Sequence, residues 1–148
     1  LPICIMGVCI TATNSNIDFN MSYSMFHNLR CNIAQAIDPE FAVLYHQATA
    51  FVYDIDGVQA ERELDKYLLD NQEYLSYVDE VIDFLFLLDT EGKVNYKTCK
   101  KILEVIEHIN FENKNFQYVS HRTSENDYEL FKKFLKDCIK YHRDMRWF

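Results

Sequence analysis

The chain is poor in the residues that interrupt structure, with only three Gly and two Pro in 148 residues. A collagen-like, linker-rich or low-complexity chain is excluded, because those classes depend on high Gly and Pro content. No apolar run reaches the length of about 20 residues needed to cross a bilayer as a helix. There is no Cys-x-x-Cys, His-x-x-x-His or His-x-His pair to supply two metal ligands from one element. P-loop, GxGxxG, GxSxG and HExxH signatures are also missing, so nucleotide binding and the commoner hydrolases lose their sequence support. No catalytic residue and no cofactor is expected.

What is present is ample apolar material, 49% hydrophobic with 15% aromatic residues, beside a charged fraction of 26%. That balance builds a core and excludes global disorder. The length suits one domain spanning residues 1–148.

The charge is unevenly placed. The formal net charge of −8 divides into −2 over residues 1–53, −10 over 54–92 and +4 over 93–148. A net negative chain repels nucleic-acid phosphates and anionic membrane surfaces. The lysines of the last third are interleaved with Tyr96, Phe131, Phe134, Tyr141 and Trp147, a mixture that nucleic-acid binding uses when it is exposed. Phe131 and Phe134 fall on an apolar helical stripe, however, and belong in the core. The acidic segment is the stronger functional clue. Asp54, Asp56, Glu61, Asp65, Asp79, Glu80 and Asp83 are therefore candidate contacts for a basic protein partner. A homo-oligomer joined through complementary acidic and basic surfaces is an alternative use of the same polarity.

Five cysteines without paired spacing read as reduced thiols, with Cys31, Cys99 and Cys138 on apolar helix positions as small hydrophobes. The longest apolar run, residues 1–12, has the length of a signal-peptide core. No Lys or Arg precedes it, and Met6-Gly7 reads as a natural start. The expectation is a cytoplasmic protein.

Periodicity predicts an α+β fold, mainly α. About six helices accompany a small antiparallel sheet made from an N-terminal β-hairpin and the C-terminal strand. Residues 3–13 are rich in β-branched side chains and are followed by the turn-forming 14–16 and a short strand over 17–19. Asn20 or Ser22 caps a helix with Met25, Phe26, Leu29, Ile33, Ala36 and Ile37 inward, ending at Asp38-Pro39. That pair opens the next helix, which turns Phe41, Val43, Leu44 and Ala48 inward. Asp54 to Gly57 reads as a turn before a helix over 58–69. A long helix over 71–88 follows, with Tyr74, Leu75, Val78, Val81, Ile82, Leu85 and Phe86 inward and an end apolar all round. Helices over 96–109 and from Ser124 to about 142 flank a polar loop at 110–123. The tail 145–148 is an edge strand or a plug beneath the hairpin.

The most motif-like stretch lies between two helices. Aligned on Gly92, it resembles an EF-hand loop, with Asp89, Glu91 and Asn95 at the third, fifth and ninth positions. Leu87 and Thr98 occupy the first and twelfth positions, where carboxylate ligands are expected. Asp89, Glu91 and Asn95 are thus candidates for a metal site, or for a metal-assisted activity, in a loop short of oxygens. The competing reading is a tight turn.

Residues 21–30 (MSYSMFHNLR) with Ile33-Ala34, 84–92 (FLFLLDTEG) and 99–103 (CKKIL) together resemble a group of small uncharacterised bacterial and prophage-associated proteins. That group carries a Tyr-Ser-x-Phe…Arg segment near its start and an Asp-x-Asp-Gly loop before a cysteine-containing helix. The similarity covers about a third of the chain, and Glu91 replaces the second Asp of the loop. The resemblance implies a bacterial cytosolic origin and no particular activity. The resulting expectation is a non-enzymatic intracellular binding protein, akin to acidic immunity or inhibitor proteins.

Overall fold

A computed structural model describes residues 7–15, 18–50, 55–109 and 125–148. The fold is α+β and mainly α, with a four-stranded antiparallel sheet. Strands β1 (Val8–Ala12) and β2 (Asp18–Met21) form the expected hairpin, in a register that pairs Ile10 with Phe19. Asn14 takes a positive φ of 56° where the chain leaves β1, a conformation Asn tolerates better than most residues.

Helix α1 (Tyr23–Ile37) starts where Ser22 Oγ accepts the Met25 N–H at 3.2 Å. It ends at Asp38, and Pro39 opens α2 (Pro39–Ala50). The helix α3 (Ile55–Asp70) begins earlier than the turn reading implied. Gly57 lies inside it and is buried, because α3 turns Gly57, Ala60 and Leu64 toward α2. On α2 the inward residues are Phe41, Ala42 and Tyr45, whereas Val43, expected inside, is 42% exposed.

The helix expected over 71–88 is three pieces. They are α4 (Gln72–Leu75), a 3₁₀ turn (Ser76–Val78) and α5 (Asp79–Phe86). Leu75, Val78, Val81, Ile82 and Leu85 are buried as periodicity requires and Phe84, outside the expected stripe, is buried with them, but Tyr74, Phe86, Leu87 and Leu88 are exposed. The all-apolar end of this segment is therefore not in the middle of the core. Its backbone is held instead by three side chains. The Tyr45 hydroxyl donates to the Leu85 carbonyl at 2.8 Å, Arg30 Nη1 to Leu87 at 2.6 Å and Trp147 Nε1 to Leu88 at 2.8 Å. Leu85 lies in the last turn of α5, where carbonyls have no intrahelical partner, and Leu87 and Leu88 follow the helix end; these donors satisfy all three.

Strand β3 (Gly92–Val94) follows, then α6 (Tyr96–Ile106), α7 (Glu125–Lys140) and β4 (Met145–Trp147). The strand order is β2-β1-β4-β3, so the C-terminal strand is interior to the sheet and not its edge. The unforeseen strand β3 covers it on the far side, with Gly92 opposite Trp147. Trp147 is 1% exposed and meets Phe84 edge-on at 5.5 Å between ring centres and Phe26 at 5.8 Å. Burial of these three rings makes the tail part of the core that joins sheet to helices.

Cys31, Cys99 and Cys138 are buried free thiols, as read from the sequence. Cys9 is disulfide-bonded, which departs from the expected set of five reduced thiols. The polar loop predicted at 110–123 and the cap at Ser124 lie outside the described residues. No helix among the described residues is long and apolar enough to cross a membrane.

Candidate functional site

The acidic candidates follow from the way α3 and α5 bury narrow stripes. With Gly57, Ala60 and Leu64 inward, Asp56, Glu61 and Asp65 are exposed on α3; Asp79, Glu80 and Asp83 are exposed on α5. Asp54 lies outside the described residues. Glu80 pairs with Lys101 of α6 at 3.4 Å, an exposed contact of small energetic weight.

Between α2 and α3 runs an open groove of about 520 Å³. Val43, Leu44 and Tyr67 supply its apolar surface, and Glu40, Glu63 and Asp70 its carboxylates, with Lys66 as the base among the described residues that line it. The Tyr67 hydroxyl donates to Asp38 Oδ2, tying α3 to the start of α2. Of the acids singled out from the sequence, the six among the described residues do not line this groove. Helix packing shows which carboxylates flank apolar surface.

The loop candidates are spent differently. Asp89 and Glu91 are exposed, while residues 92–94 pair with β4. Asn95 Oδ1 accepts the Thr98 N–H at 2.9 Å and caps α6. The described geometry thus gives Asn95 a capping role and the segment from Gly92 to Val94 a place in the sheet. Gly92 serves packing here: a Cβ at that position would overlap the Trp147 indole.

A different cluster lies between α1 and α2. Cys31 Sγ is 3.5 Å from His27 Nε2 and 3.6 Å from His46 Nδ1, and the ligand atoms of all three residues fall within 4.8 Å of one another. Cys31 is fully buried, while His27 and His46 are partly exposed. Burial lowers the affinity of both imidazoles for a proton, and at His27 the neighbouring His46 and Arg30 add to the effect while Asp89 opposes it. Burial pushes the Cys31 thiol up to about 12, with Arg30 pulling the other way. All three groups are thus held uncharged near neutral pH.

Sequence reasoning passed over this cluster although part of its signal was present. His27 and Cys31 are four residues apart, which stacks them on one face of a helix. A search for two histidines or two cysteines misses a mixed pair. His46 joins them because α1 and α2 fold back at Asp38-Pro39, and Cys31 and His46 stand seven and eight residues to either side of Asp38.

Comparison with family models, with curated proteins and with solved structures finds no match.

Proposed function

We propose that the protein is a non-enzymatic binding protein that holds a basic protein partner across the α2–α3 groove. The observation that carries this reading is the groove's composition. Partly exposed Val43, Leu44 and Tyr67 lie beside Glu40, Glu63 and Asp70, in a region where residues 54–92 carry a net −10. Protein interfaces combine an apolar centre with a polar rim, and rim charge of one sign steers a partner of the other. The exposed acids Asp56, Glu61 and Asp65 extend the negative field along α3 and raise the rate of encounter more than the final affinity.

An amphipathic Lys/Leu helical peptide, labelled for fluorescence anisotropy, tests the reading against an equally long Glu/Leu peptide. The expected result is binding of the basic peptide alone, weakened as salt rises and abolished by the double substitution E40K/E63K. Equal binding by that variant, or no binding at low salt, would overturn the proposal. Size-exclusion elution that shifts with salt in the protein alone would instead favour self-association through the same charges.

A further inference from the structure

We propose that His27, Cys31 and His46 form a binding site for one zinc-class divalent cation, clamped between α1 and α2. The interatomic distances carry the inference. In a tetrahedral zinc centre the Zn–S bond is about 2.3 Å and the Zn–N bonds about 2.0–2.1 Å, which sets sulfur and nitrogen about 3.6 Å apart across the metal. The two sulfur–nitrogen separations in the structure are 3.5 and 3.6 Å. The remaining nitrogen–nitrogen edge should be about 3.3 Å in such a centre, by the same bond lengths. In the structure it is at most 4.8 Å, so closing it asks for a shift of at most about 1.5 Å between two partly exposed rings.

The donor set selects the cation. One thiolate and two imidazoles are borderline-soft ligands that suit zinc and its neighbours, whereas calcium and magnesium require oxygen shells. The ligands come from the interiors of two packed helices, which hold their spacing more firmly than a loop would. Three protein ligands leave the fourth tetrahedral position to water or another small donor, as in zinc sites of the open kind. The partly exposed imidazoles give an ion a route to the buried sulfur. On binding, the Cys31 S–H proton is released to solvent and the sulfur forms its bond to the cation as thiolate, so each ion bound frees one proton from this residue. The site shares no residue with the α2–α3 groove and stands independently of the partner proposal.

Cobalt(II) titration of the purified protein, reduced under conditions that leave Cys31 as a free thiol, tests the site. The expected result is a thiolate-to-cobalt charge-transfer band that saturates at one equivalent, accompanied by visible bands of tetrahedral intensity, and displaced by one equivalent of zinc. H46A, altered at a partly exposed position, and C31S should both lose the thiolate band while keeping the helical circular dichroism of the parent. H108A and E91Q should keep the band unchanged. Zinc should also raise the unfolding temperature of the parent and not of H46A. Absence of a thiolate band in the parent, or its survival in H46A, would overturn the proposal. Should C31S fail to fold, the H46A comparison decides alone.

Discussion

Arg30 Nη1 donates a hydrogen bond to the carbonyl oxygen of Leu87 at 2.6 Å, although 57 residues separate the two. The guanidinium also lies 4.4 Å from the ring centre of Phe26, 5.0 Å from that of Phe84 and 5.6 Å from that of Trp147. A cation at the end of α5 complements the negative end of the helix dipole, and its flat face suits aromatic surroundings. Charge-assisted hydrogen bonds and desolvated cation–π contacts contribute about 2 kcal/mol each. R30A removes these contacts and opens a cavity among the rings, but it also relieves the desolvation of a guanidinium whose Nε and Nη2 are buried without hydrogen-bond partners, so the net cost should be about 3–4 kcal/mol in urea unfolding. R30M should recover part of that loss by filling the space. Equal stability of R30A and the parent would remove Arg30 from the core's account.

Gly92 faces Trp147 across the β3–β4 pair, and a Cβ there would run into the indole. G92A should cost about 1–3 kcal/mol through overpacking. Trp147 is the only tryptophan, so the same variant should shift the emission spectrum as the indole is displaced. An unchanged spectrum with parental stability would show that the strand pair yields freely.

Asn95 caps α6 through its side-chain oxygen. N95A should cost about 1 kcal/mol, whereas N95D, which keeps the acceptor, should cost little. The two variants separate capping from the ion-binding role suggested by the loop's spacing: a cap retains its effect in metal-free buffer. If N95A destabilises only when divalent cations are present, the capping assignment fails.

Tyr45 and Tyr128 are each 1% exposed, and burial raises the pKa of both phenols above the ordinary 10.0. Arg30 opposes the shift at Tyr45, and the Asn32 amide, which donates to the Tyr128 hydroxyl at 2.6 Å, opposes it at Tyr128. A phenol whose folded pKa is raised contributes stability that is complete below pH 10.0 and is lost as pH climbs above it. Stability should thus fall through the alkaline range, by about 1.4 kcal/mol per pH unit for each buried phenol. Y45F or Y128F should flatten the slope by one such share. Phenolate absorbance from these two residues should rise together with the loss of helical circular dichroism, and ionisation well before unfolding would contradict their burial.

Much of the helical framework was legible because its signals are local. The stripe Phe26, Leu29, Ile33 and Ile37 repeats every three or four residues, Ser22 caps the same helix, and Asp38-Pro39 marks the next boundary; each signal acts within one or two turns. The hairpin was readable for the same reason. The break at Ser76–Val78 was not, since Tyr74 to Phe86 keeps an apolar period through it and only packing decides that the α-helix is interrupted there. Leu87 and Leu88 misled the reading because hydrophobicity cannot show that their carbonyls, rather than their side chains, are what the fold requires.

By itself, then, the sequence determined the class of fold, most helix starts, the burial of Cys31, Cys99 and Cys138 and the segregation of acidic charge between residues 54 and 92. Tertiary structure decided that Trp147 belongs to an interior strand, that Arg30 ends α5, that Glu40 joins Glu63 and Asp70 around apolar surface, and that His46 meets His27 and Cys31. The physical reason is range. Helix periodicity and capping depend on neighbours three or four residues away, whereas these relationships join groups from 15 residues apart, as for Cys31 and His46, to 137 apart, as for Ile10 and Trp147, and depend on how completed helices and strands pack.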